Sequence, residues 1–232
     1  MDKGNGLETL SDVFSIEKVE WYLRFLEENN ERGGFFSRGD AARIFDRHVR
    51  ESAMFVERVQ NYVPVSRETT ALDAGSGPGL PGFLLACLKE PPRLTLNDSS
   101  RRRLSLLEEA LATTDQAFPS VRFSYDRLEE FKGSFDLIMS RALIPFPSVL
   151  RLISHLQKPG AIYAGFFSPM DIAQFAQVVA DCGYRLHGQD SFLTSNEVQR
   201  EIFYFQKEKV VRQGKPFAWK FIRGEMSQWQ KS

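Results

Sequence analysis

The stretch Leu72-Asp73-Ala74-Gly75-Ser76-Gly77-Pro78-Gly79-Leu80-Pro81-Gly82 decides the fold. Thr70 to Ala74 reads as a buried strand running into glycines, and Phe83 to Lys89 as the helix that follows. Between them the chain must turn sharply. Gly75, Gly77 and Gly79 remove side chains, so the backbone can take positive φ and approach a ligand. Such a ligand lies at the carboxyl end of a parallel sheet, near the strand-order switch point. Two cofactor classes use this turn. Gly77, Gly79 and Gly82 match the G-x-G-x-x-G spacing of dinucleotide enzymes, a pattern of little specificity by itself. Asp73, two residues before the first glycine, would repel a pyrophosphate. It suits the cationic amino group and sulfonium of S-adenosylmethionine, directly or through water. The loop, Ser76 and Leu80 included, therefore predicts an S-adenosylmethionine site. A dinucleotide site and a purely structural turn are the competing readings.

Outward from the loop, Leu94 to Asp98 reads as a second strand. Asp98 ends it about 20 residues after the third glycine, where this fold places a carboxylate on the ribose hydroxyls. Asp98-Ser99-Ser100 also precedes a helix, so Asp98 has a second reading as a cap. Helix Arg102 to Ala112, strands Val121 to Tyr125 and Phe135 to Ser140, helix Phe146 to Leu156, strand Ala161 to Phe167 and helix Met170 to Cys182 continue the alternation. Tyr184 to His187 and Glu201 to Gln206 add strands. Alternation of this kind calls for an α/β fold with a parallel sheet covered on both faces.

Upstream, Ile16, Val19, Tyr22, Leu23 and Leu26 give a helix from Ser15 to Glu28, broken by Asn29-Asn30 and Gly33-Gly34. A second helical stretch runs from Gly39 to Tyr62, and Met1 to Ser11 is expected to fray. The organisation read from this is a helical extension over 1–64, a Rossmann-like domain over 65–207 and a tail without periodicity over 208–232. Lys plus Arg and Asp plus Glu each number 30; this balance argues against a polyanion-binding surface over the whole molecule but allows a local basic patch. Two distant cysteines, Cys87 and Cys182, and three scattered histidines exclude a disulfide framework and leave no metal site in view. No signal peptide or membrane span is read, so a cytoplasmic protein is expected.

The loop with its Leu-Pro-Gly ending resembles that of the bacterial small-subunit ribosomal RNA guanine-N7 methyltransferases (RsmG, or GidB). Arg47-His48 with Glu51-Ser52, Asp98-Ser99 with Arg102-Arg103, Leu128-Glu129-Glu130-Phe131, and Ser140-Arg141-Ala142 resemble further segments of that family in order and spacing. The resemblance runs from Ser15 to Phe167, and weakly over Glu201 to Gln206. It implies a class I S-adenosylmethionine-dependent methyltransferase fold, with a mostly parallel seven-stranded sheet flanked by helices behind the N-terminal helical part. It implies 16S ribosomal RNA or the small subunit as partner. It also implies cofactor contacts at Gly75, Leu80, Leu128, Glu129 and Arg141, beside Asp73, Ser76, Gly77, Gly79 and Asp98. Departures fall on the RNA side: Gly34-Phe35-Phe36 stands where the family has Asn-Leu-Thr, and Gly165-Phe166-Phe167 where it often has a lysine.

Guanine N7 carries a lone pair and no proton, so it needs positioning and desolvation rather than a base. No catalytic base is assigned. Candidate RNA contacts are His48, the run Arg101, Arg102 and Arg103, and a second basic set of Lys207, Lys209, Arg212, Lys215 and Lys220. Phe35, Phe36, Phe166 and Phe167 are stacking or core residues, with core packing expected for at least two. A same-fold methyltransferase acting on another RNA or small molecule, and a cofactor-binding ribosome-assembly protein without turnover, are the alternatives. A monomer is expected.

Overall fold

The computed structural model describes residues 10, 12–194 and 196–229. The opening stretch expected to fray lies, Leu10 apart, outside the described residues. Among the described residues, α1 (Ile16–Gly33), a single helical turn at Arg38–Ala41 and α2 (Arg50–Gln60) precede the sheet, α2 being entered through a π-helical turn at Phe45–Val49. Then follow β1 (Thr70–Ala74), α3 (Phe83–Ala86), β2 (Arg93–Asn97), α4 (Arg101–Thr113), β3 (Val121–Ser124), β4 (Leu137–Arg141) and α5 (Ser148–Ile153). The chain closes with β5 (Ile162–Phe167), α6 (Ala176–Asp181), β6 (Tyr184–Leu193), β7 (Gln199–Lys207) and α7 (Trp219–Trp229).

The strands form one seven-stranded sheet in the order β3-β2-β1-β4-β5-β7-β6. β7 is antiparallel to both neighbours, and the remaining pairings are parallel. Strand order reverses between β1 and β4, which opens a crevice above their carboxyl ends. Successive strand residues face opposite ways. Ala71, Leu94, Leu96, Leu137 and Met139 share one buried cluster with Tyr22, Phe25 and Leu26 of α1 and Phe55, Val56 and Val59 of α2. Leu72, Ile138, Tyr163, Phe203 and Phe205 share the other with Leu150, Val179 and Ile222 of α5, α6 and α7. The helices before residue 64 and the sheet after it thus have a common core.

Three local differences from the sequence reading have identifiable causes. α1 passes through Asn29-Asn30 and ends at Gly34, where φ is 60°. Asn30 serves as an anchor there, its side-chain oxygen accepting the Phe36 N–H at 2.8 Å. α3 stops at Ala86 because Leu88 leaves to bridge with Phe14, and the Cys87 carbonyl accepts the Ser15 N–H. A helix of one turn carries little of the dipole that a pyrophosphate would need.

The third difference is the C-terminal stretch read as a tail. It forms α7, with Ile222 fully buried and Phe217 nearly so. Glu225 sits between Ser148, which donates at 3.0 Å, and Arg151, which donates at 3.2 Å. The burying face is short and interrupted by this ionic contact, so no apolar period announces it. Ile222→Ala should cost about 2–4 kcal/mol of stability, read as a lower urea midpoint at unchanged slope. An unchanged midpoint would show that α7 is not docked in solution.

Candidate functional site

The glycine loop is held from three directions. From β2, the Asn97 carbonyl accepts the N–H groups of Gly75 and Ser76 at 2.8 and 2.9 Å. Within the loop, the Asp73 carboxylate accepts the Gly82 N–H at 2.9 Å. From α1, the buried Tyr22 hydroxyl donates to the Pro78 carbonyl at 3.2 Å. Gly75, Gly77 and Gly79 have φ of 77°, 56° and 111°, a region that favours glycine. A Cβ on Gly82 would stand 2.2 Å from the Asp73 Cβ, so the glycine of Leu80-Pro81-Gly82 is a packing requirement. A Cβ on Gly77 would meet nothing within 4 Å, because that glycine borders open space.

That space is a cavity of about 580 Å³ above the carboxyl ends of β1, β2 and β4. Of the predicted cofactor contacts, Gly75, Ser76, Gly77, Leu80, Asp98, Leu128, Glu129 and Arg141 all line it. Asp98 accepts the Gly77 N–H with one oxygen and the Ser100 N–H with the other, both at 2.8 Å. The helix that follows is capped at Ser100, not at Asp98, so Asp98 braces the turn before the helix, and its carboxylate keeps further lone pairs free for a ligand. Asn97 ties the wall together by donating to the Asp126 carbonyl at 3.0 Å. Arg141, at the end of β4, donates to the Ser52 hydroxyl at 3.2 Å.

Asp73 and Gly79 do not line the cavity. Gly79 packs against Tyr22, Leu107 and Phe83. Asp73 is fully buried behind the loop, and its second carboxylate oxygen is buried without a partner. Burial pushes its pKa up to about 7, against the opposing pull of the Gly82 amide, Ser76 and Arg141. The residues fit S-adenosylmethionine: a carboxylate for the ribose hydroxyls, an apolar Leu128 for a base, and volume within the range of small-molecule sites, about 300–1,000 Å³. The unpartnered Asp73 oxygen adds a buried acceptor for positive charge.

A second cavity, of about 630 Å³, shares His48, Arg141, Ala142, Leu143 and Ile144 with the first. Arg47, Glu51, Arg200, Phe166 and Phe167 line only this one among the two. His48 stacks on Phe36 with centroids 4.1 Å apart. Burial, then the neighbouring Arg141, lowers its pKa to about 4, so the imidazole is neutral at pH 7. Phe35 and Phe166 are buried, while Phe36 and Phe167 keep exposed surface at the two cavities.

The basic run divides. Arg103 reaches the first cavity, Arg101 lies over the Tyr125 ring outside it, and Arg102 donates to the Arg32 carbonyl at 3.4 Å. In the second basic set Lys207 is a correction. It is buried and donates to the Cys182 carbonyl at 2.6 Å, so it is not a phosphate contact. Lys209, Arg212, Lys215 and Lys220 are exposed.

Several site residues were not singled out in the sequence. Tyr22 reads as an ordinary apolar position of an amphipathic helix. Asn97 is hidden beside the more obvious Asp98. Trp219, which lines the first cavity with Arg127 against its ring, lies in the stretch that showed no periodicity. Only the fold brings these to the loop.

Comparison with known proteins agrees with this geometry. Residues 15–183 match the family model described as GidB, rRNA small subunit methyltransferase G. The chain is 36% identical over 218 residues to the ribosomal RNA small subunit methyltransferase G of Leptospira biflexa, covering 92% of this chain and 88% of that protein. It is 35% identical to the protein of the same name from Leptospira interrogans, covering 94% and 86%. Among solved structures, the magnesium protoporphyrin IX methyltransferase of Synechocystis PCC 6803 with bound SAM matches at TM-score 0.54 and 17% identity, over 78% of this chain and 97% of that one. A SAM-dependent methyltransferase from Methanosarcina mazei matches at TM-score 0.53 and 13% identity, over 66% and 97%. The fold is thus that of class I S-adenosylmethionine-dependent methyltransferases, and the chain belongs to the rRNA small subunit methyltransferase G family.

Proposed function

We propose that this protein methylates N7 of a guanine in small-subunit ribosomal RNA, using S-adenosylmethionine. The observation that carries the reading is the pair of contiguous cavities, one built around the glycine loop and Asp98, the other opening beside it through Arg141 and His48. In the first, Asp98 would hold the ribose, Leu128 and Glu129 the adenine, and Gly75, Ser76, Gly77 and Leu80 the backbone side of the cofactor. Arg141 completes this set, and Asp73, buried behind the loop, acts on it only through its charge and its hold on the Gly82 N–H. When bound, S-adenosylmethionine supplies an electrophilic methyl group.

The rest is positioning. An N7 lone pair needs no proton removed, and the side chains here offer no strong base. His48 holds its proton weakly, and both cysteines are buried with thiol pKa values pushed up by that burial. Neither cysteine suits a covalent mechanism, which needs a thiolate. Arg103, with Arg101 and Arg102 beside it, offers charge for RNA phosphates at the cavity mouth. Among the described residues no helix is long and apolar enough to cross a membrane. The reading places the protein in the cytoplasm as a monomer, acting on RNA or the small subunit.

Three measurements test this. Purified protein with labelled S-adenosylmethionine should methylate rRNA or small subunits from a strain lacking this gene, and nucleoside mass spectrometry should find N7-methylguanosine. No incorporation into either would refute the proposal. Asp98→Ala should weaken binding of the demethylated cofactor about tenfold to hundredfold by calorimetry, the loss of one to two charge-assisted hydrogen bonds; wild-type affinity would remove Asp98 from the site. Cofactor binding should also depend on Asp73. Below pH 7 that carboxyl is largely protonated and adds no negative charge behind the loop; its ionisation favours a cation in the cavity, so affinity for S-adenosylmethionine should rise from pH 6 to pH 8 and level off. Asp73→Asn should flatten this dependence; a profile unchanged in the variant would assign the titration elsewhere.

A further inference from the structure

N7 is present, with the same lone pair, in adenine and guanine. The reacting atom therefore cannot select the base; selection comes from position 6 beside it, O6 in guanine against an amino group in adenine, or from the N1 edge. There guanine presents two donors, N1–H and the 2-amino group, whereas adenine presents an acceptor at N1. A pocket that selects guanine by its N1 edge needs an acceptor pair aimed there.

The second cavity contains one. Glu51, on the first turn of α2, is the only carboxylate among its described lining residues. It is half-buried, and among the described residues no hydrogen-bond or ion-pair partner lies within bonding distance of it. Arg47, its neighbour in the cavity, is instead engaged with Asp40. Burial raises the Glu51 pKa, while Arg141, Arg200 and Arg47 pull it back and favour the ionised form. Its place matters as much as its charge. Glu51 lines the second cavity and not the first, whereas Arg141 and Ala142 line both. Glu51 and the shared-wall residue Arg141 feel each other's charge more than that of any other group, so a purine entering this cavity with N7 towards the shared wall has the Glu51 carboxylate as the acceptor at hand for its N1 edge. Phe167, half-buried in the same wall, offers a face for stacking.

We propose that Glu51 is the guanine-specificity residue: its carboxylate accepts the N1–H and 2-amino protons of the target base and so fixes N7 at the mouth of the cofactor cavity. The contact has a second effect. Methylation at N7 leaves the purine positively charged, and a carboxylate on its far edge stabilises that charge as it develops. This inference rests on the guanine-N7 reading above.

The test uses small-subunit rRNA assembled with either guanine or inosine at the mapped target position. Inosine keeps N7, O6 and N1–H and lacks only the 2-amino group. Wild-type protein should prefer guanine about tenfold in kcat/KM. Glu51→Gln and Glu51→Ala should lower kcat/KM on guanine about tenfold or more and bring the guanine-over-inosine ratio close to one. Affinity for the demethylated cofactor should stay within about twofold of wild type, since Glu51 lies outside that cavity. Glu51→Asp should restore part of the preference. Variants that keep the wild-type ratio overturn the inference, whether their rates are unchanged or fall equally on both RNAs. A wild-type protein that methylates neither RNA overturns the function reading itself, and this inference with it.

Discussion

The site depends on one buried carboxylate. Asp73 sits at the end of β1 with no exposed surface, and it accepts the Gly82 N–H across the whole glycine turn. An uncompensated charge in such a place would cost several kcal/mol. The molecule limits that cost by giving one oxygen a backbone donor and letting the carboxyl pKa climb to about 7. The same contact leaves no room for a side chain at residue 82. Acid and glycine therefore constrain each other, and the loop between them is bent towards the cofactor cavity by that closure.

Nothing about this closure is local. The Pro78 carbonyl is bonded by Tyr22, from a helix 56 residues upstream. The loop's first amides are bonded by the carbonyl that ends β2. The N-terminal helices thus cover one sheet face and also hold the cofactor loop in shape. Arg141 extends the arrangement: it reaches from β4 to Ser52 on α2 and stands between the two cavities.

The basic residues divide by burial rather than by charge. Lys207 and the Arg101–Arg103 run are equally basic in sequence, yet Lys207 is committed to the Cys182 carbonyl. Likewise, adjacent phenylalanines at 35–36 and 166–167 differ in burial, Phe35 and Phe166 being buried and Phe36 and Phe167 partly exposed, although both members of each pair line a cavity.

The sequence alone determined the parallel sheet, the loop and Asp98, because these rest on short-range rules: strand-to-helix alternation, positive φ at glycine, and an acid placed near a glycine turn. It also pointed to Leu128, Glu129 and Arg141 through the resemblance of their segments to one family. Tertiary structure alone decided that Asp73 lies behind the loop instead of lining the cavity, that Tyr22 and Asn97 support it, and that residues 219–229 dock as a helix with Trp219 at the cavity edge. It alone placed Glu51 in the second cavity and outside the first. Each of these is a contact between residues far apart in the chain, and a one-dimensional pattern carries no information about which distant surfaces will be buried together.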